Sequence, residues 1–272
     1  MKSRTQPLLV LALVVALAGG YGTNAASQQK PEGVPTQELL RVLGQGHLNP
    51  LRPTRGREEQ GEPLGAPAGV ADRSNSYRFG RENSPGRPVT WSPCRPIHYV
   101  ARLDNAPPGS KELLADVVGQ LSRATGLVFI DDGPTKEKPS QNRPAYLPAL
   151  YGDRWAPVLI AWATHAEVPH LAGRSAGIAS PHFEVAGGEL TYVSGFVYLD
   201  APVIADLRKN PKKAYFHKVA LLHELAHIVG LGHVDDPRQV MAPRGRTDLD
   251  RYQAGDLTGL ARLGRGPCRP GV

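Results

Sequence analysis

From residue 77 onward, apolar residues recur with two distinct periods. Residues 97–103 alternate as a half-buried strand does, whereas Leu113, Leu114, Val117, Val118 and Leu121 recur at helical spacing. The second pattern predicts a helix over 110–124 that Gly126 ends. Short apolar runs at 127–130, 158–163 and 192–199 predict further strands. Residues 77–79 and 89–91 flank Ser84-Pro85-Gly86 and predict a hairpin. Ala214, Phe216, Val219, Ala220, Leu222, Leu225, Ala226 and Val229 form the body of a helix that begins near Pro211. Its final half is apolar almost all round, the mark of a helix buried in a core. Asp256 is placed to cap a closing helix that runs through Leu263. This order of elements predicts an α/β (α+β) domain over 77–272, long enough for one sound core.

Composition separates off the N-terminal part. Residues 1–25 read as a signal peptide: Lys2 and Arg4 precede an apolar run at 8–18, and small Thr23 and Ala25 suit a cleavage point. The run is shorter than the roughly 20 residues a membrane span needs, although an uncleaved anchor stays open. Residues 26–76 are rich in Pro, Gly, Gln, Arg and Glu, which predicts a disordered linker or pro-segment. Within it, 36–43 has the makings of a short helix between Thr36 and Gly44. The formal charge is +7. No basic helix, aromatic platform or nucleic-acid motif accompanies that charge, so no nucleic-acid partner is expected. Cys94 and Cys268 are the two cysteines. In an oxidising compartment the default is one disulfide between them; the rival reading makes Cys94 a metal-bound latency switch.

The chemistry is concentrated in His223-Glu224-Leu225-Ala226-His227-Ile228-Val229-Gly230-Leu231-Gly232-His233, with Met241 eight residues on. H-E-x-x-H alone arises by chance about once in 80 chains of this composition, and H-E-x-x-H-x-x-G-x-x-H about once in 20,000. The longer pattern therefore carries the weight. Helical residues four apart sit about 40° apart and about 6 Å along the axis, so His223 and His227 can share one metal. Glu224, about 100° round, falls beside that metal without being a ligand. His233 reaches it only if the chain leaves the helix, and Gly230 accepts the left-handed conformation that such a turn requires.

The segment resembles the zinc-binding consensus of the metzincin metallopeptidases, in particular the matrixin-like branch in its bacterial secreted form. Val240-Met241-Ala242-Pro243 is similar to the methionine turn of that clan. The resemblance implies a metzincin-like domain with a twisted mixed sheet, an active-site helix, a Met-turn and a C-terminal helix. It also implies that 175–180 is an antiparallel edge strand that accepts an extended protein or peptide substrate. No Pro-Arg-Cys-Gly-type latency segment is present, and accessory zinc or calcium loops are not apparent.

The expected function is a secreted or envelope-associated, monomeric zinc endopeptidase with one catalytic Zn2+ on His223, His227 and His233. Zinc-activated water attacks the scissile carbonyl with Glu224 as general base, and Met241 lies beneath the metal without binding it. The alternative is a non-catalytic zinc-stabilised binding module of the cell envelope; a third reading keeps the chemistry and changes the substrate to a cell-wall amide. His165, His170 and His182 match no trusted metal spacing and read as exposed loop residues. His98 and His217 read as ordinary surface or helix residues.

Overall fold

The computed structural model describes residues 52–54, 59–173, 176–210, 213, 215–243 and 248–272. The expected signal peptide at 1–25, the short helix at 36–43 and the helix start at Pro211 lie outside those residues. In chain order the elements are β1 (Arg78–Phe79), β2 (Glu82–Ser84), β3 (Arg87–Pro88), β4 (Thr90–Trp91), β5 (Ile97–Arg102), α1 (Ser110–Thr125), β6 (Phe129–Pro134) and α2 (Pro148–Tyr151). They continue with β7 (Val158–Ala163), β8 (Gly177–Ala186), β9 (Glu189–Asp200), α3 (Ala201–Leu207), α4 (Phe216–Val229), β10 (Leu231–Gly232) and α5 (Ala254–Leu263).

A six-stranded mixed sheet runs β4-β9-β7-β5-β6, with β8 along the other edge of β9. All its pairs are parallel except β8 with β9. The two-residue turn between these strands puts Gly187 and Gly188 at φ 59° and 81°. Positive φ at both central positions is what a tight twisted hairpin demands, and only glycine supplies it without strain. The outer edge of β8 pairs with no strand among the described residues. The fold is α/β, as the periodicity predicts.

β7 is buried along its whole length because both faces of the sheet are covered. Val158, Ile160 and Trp162 join the main core with α1, α4 and α5, while Leu159, Ala161 and Ala163 join a smaller core on the opposite face. There the loop 135–157 is held down by Arg143, a residue only 3 % exposed. It donates to both carboxylate oxygens of Glu137 (2.7 and 3.1 Å), to Pro157 O (2.9 Å) and to Gly195 O (3.0 Å).

Four expectations change. The turn at Ser84-Pro85-Gly86 exists, but it joins β2 to β3; β1 pairs instead with β10 and β4 with β9, partners more than a hundred residues away. The strand expected at 127–130 starts at Phe129, since the Leu127 N–H still bonds Thr125 Oγ1 (3.1 Å) at the end of α1. Asp256 is not the cap of α5. Gln253 is the N-cap, and Asp256 three residues on completes a capping box with it. Finally, the end of the segment read as a linker lies on the domain. Gln60 and Leu64 donate to the carbonyls of Cys94 (2.8 Å) and Pro93 (3.0 Å), and Ala68 to that of Arg123 (2.9 Å). Cys94 and Cys268 form a disulfide with Cα atoms 5.4 Å apart, which removes the reading of Cys94 as a latency ligand.

Candidate metal centre

α4 is buried on nearly every side, so its backbone, and with it the direction of each polar side chain, is fixed by packing. Trp91 Nε1 donates to Ile228 O (2.8 Å) and Tyr252 OH to Leu222 O (2.9 Å), pinning the helix on two sides. Gly230 ends it at φ 114°, with its N–H shared between Ala226 O (3.2 Å) and His227 O (3.0 Å). β10 then pairs with β1, and this short ladder delivers His233 back to the exposed face of the helix.

The three Nε2 atoms form a near-equilateral triangle: His223 to His233 is 3.0 Å, His227 to His233 3.1 Å, and His223 to His227 3.1 Å. His223 Nδ1 donates to Val240 O (2.8 Å) and His227 Nδ1 to Leu231 O (2.7 Å). A carbonyl can only accept, so both rings spend their proton there and present Nε2 as a lone pair. Two lone pairs facing each other at 3.1 Å need a cation between them. The centre of such a triangle lies about 1.8 Å from each nitrogen, just inside the roughly 2.0–2.1 Å of a zinc–imidazole bond. The residues fit a divalent metal with three nitrogen donors.

Electrostatics agree with that donor set. Burial pushes His223 down to about 4 and His227 to about 3, helped by the neighbouring rings and opposed by the two carbonyls. His233 is lowered by burial as well. All three imidazoles are therefore neutral near pH 7, the form that binds a metal. Glu224 is 6 % exposed, and burial alone raises it to about 8. A cation beside it would reverse that shift.

Two backbone features hold this arrangement. The turn bearing Met241 supplies the carbonyl for His223, and Val234, next to the third histidine, donates its N–H to Met241 O (3.1 Å). Met241 itself is 1 % exposed. Gly177, at the start of β8, lies so close to Glu224 that a Cβ there would be 2.8 Å from its Cγ.

The other histidines among the described residues form no metal-binding cluster. His165 Nε2 bonds Asp200 Oδ2 (2.8 Å), His170 bonds Gln141, and His182 packs against Phe196 with ring centroids 6.0 Å apart. His182 and His217 are each lowered to about 4 by burial. His217 corrects the expectation of an ordinary helix position: it is 2 % exposed and accepts a hydrogen bond from Trp162 Nε1 (2.9 Å). Among the described residues one other trio has metal-binding atoms in reach, Glu59, Cys94 and Cys268, and its sulfurs are already joined. No residue type in the sequence announces the Val240 and Leu231 carbonyls that bind the two helical histidines, or the closeness of Gly177 to Glu224.

No protein-family model matches this chain, and no curated protein does. Among solved structures it is similar to the crystal structure of an archaemetzincin from Methanopyrus kandleri, with a TM-score of 0.37 and 17 % identity over 61 % of this chain and 93 % of that one.

Proposed function

We propose that this protein is a zinc-dependent endopeptidase that is exported from the cell. The convergence of three neutral imidazoles, with a buried carboxylate at the adjacent helical position, is the observation that carries the reading. Zinc held by His223, His227 and His233 would supply a Lewis acid that lowers the pKa of water to about 7 and polarises an amide carbonyl. Glu224 takes the proton of the attacking water and passes it to the leaving amide nitrogen. Gly177 lies against the stem of that carboxylate and restricts its swing. The outer edge of β8 offers backbone N–H and C=O groups to an extended peptide, which demands little of the substrate's side chains. Met241 is a packed apolar floor and not a ligand.

Export accords with the basic and apolar pattern of 1–25 and with the disulfide, a bond that persists in oxidising compartments. No described helix is long and apolar enough to cross a membrane. The test is Glu224→Gln. It should keep one zinc per chain, measured by elemental analysis, and lose nearly all turnover of a denatured protein substrate. Activity near wild type in that variant defeats the mechanism; a wild type that holds zinc without any turnover is the envelope binding module instead.

A further inference from the structure

Asp256 lies 15 residues beyond Met241 and is 1 % exposed. Its Oδ2 accepts the N–H of Gln253 (2.9 Å) and of Val240 (2.8 Å), and its Oδ1 accepts that of Met241 (3.3 Å). The bond from Gln253 belongs to the capping box, which one carboxylate oxygen satisfies. The other two reach across to a separate turn. Gln239 Oε1 meanwhile takes the N–H groups of Gly255 (2.9 Å) and Asp256 (3.3 Å), so the first turn of α5 has a second acceptor. No Lys or Arg is among the described partners of Asp256, and its charge falls on backbone donors alone.

The Met241 N–H and the Val240 carbonyl are the two ends of one planar peptide. That carbonyl is the acceptor for His223 Nδ1 at 2.8 Å. Carboxylate, peptide and imidazole thus stand in series. We propose that Asp256 is a positioning residue for the metal centre, acting on His223 through the Val240–Met241 peptide. An anion on the N–H end draws electron density toward the carbonyl oxygen and makes it a stronger acceptor. The stronger acceptor locks the His223 ring in place and makes Nε2 more basic, as a carboxylate bonded directly to a metal-binding histidine does. His227 provides an internal contrast: its Nδ1 bonds Leu231 O, and no carboxylate is bonded to that peptide among the described contacts. The inference rests on the reading that the histidine trio binds a divalent cation.

The experiment compares full-chain wild type with D256N, using zinc itself as the probe in competition with a chromophoric chelator. The metal-free proteins, labelled with 15N-histidine, are compared by NMR. D256N should bind zinc more weakly by up to about tenfold, the lower end of what loss of a partner bonded directly to the histidine costs. Its His223 ring resonances should move while those of His227 stay. Zinc affinity within twofold of wild type, or equal movement of both rings, overturns the relay. Should D256N fail to fold, the wild type carries the measurement: scalar couplings across the hydrogen bonds from Met241 N–H to the Asp256 carboxylate carbon, and from His223 Nδ1–H to the Val240 carbonyl carbon, are expected, and absence of either overturns it. Wild-type protein that takes up no zinc sinks the metal centre itself, a result distinct from tight binding by D256N.

Discussion

Gly177→Ala is the sharpest single perturbation of the candidate catalytic base. The new Cβ would lie 2.8 Å from Glu224 Cγ, 3.1 Å from Glu224 Cδ and 3.1 Å from Leu199 Cδ2. Carbon atoms rest about 3.5–4.0 Å apart, so the first contact has to open by about 0.7 Å or more. Gly177 is not among the glycines at positive φ, and alanine is therefore resisted by contact alone. Leu199 is wholly buried in the core, which leaves the Glu224 side chain as the group that yields. A catalytic group displaced by about 1 Å costs on the order of 100-fold in rate. The overpacking itself should cost about 1–3 kcal/mol of stability. The assay is kcat/KM on an unfolded protein substrate, with zinc content and far-UV circular dichroism measured on the same preparation. Activity down about 100-fold with one zinc retained is the expected result. Activity within threefold of wild type refutes the reasoning, and so does loss of the zinc, because the whole centre would then have moved.

Other consequences are as open to measurement. Arg143→Met leaves the nearly buried Glu137 carboxylate without its guanidinium and should destabilise by about 3–5 kcal/mol in urea unfolding; a loss under 1 kcal/mol would show that the loop does not depend on this pair. Reducing Cys94–Cys268 opens a loop of 174 residues. The chain-entropy model assigns that bridge at most about 5 kcal/mol, so a melting temperature unchanged by reductant would contradict it. His217 titrates at about 4 when folded, against 6.5 for the free side chain. The unfolded chain thus binds more protons at this site between those values, so the contribution of His217 to stability should rise with pH from about 4 to about 6.5 and level off above. His217→Gln, which keeps an acceptor for Trp162 but cannot titrate, should make the rise in stability shallower in chelator-treated protein by the share of one histidine, with His182, His223 and His227 supplying the rest; an unaltered slope shows that His217 contributes none of it.

What the sequence discloses depends on whether the information is local. β7 is an unbroken apolar run and the final half of α4 is apolar almost all round, and their place in the core follows from those patterns. The histidine pair at 223 and 227 is a matter of helical spacing, and the third donor follows from a glycine that has to end the helix. The partners of β1 and β4 are distant in sequence, so the local turn at Ser84-Pro85-Gly86 suggests the wrong pairing for both. His217 looks unremarkable until Trp162, 55 residues earlier, is found against it. Residues 59–76 bury little apolar surface and are held by backbone hydrogen bonds, a kind of attachment that composition does not register. The carbonyls that orient His223 and His227 belong to the backbone, which every residue shares.

The cystine joins a residue just ahead of β5 to one just past α5. A single cut in any intervening loop therefore yields two pieces that stay on one molecule. Such a nick would pass unseen on a denaturing gel until a thiol is added, and the severed halves would remain tethered to each other.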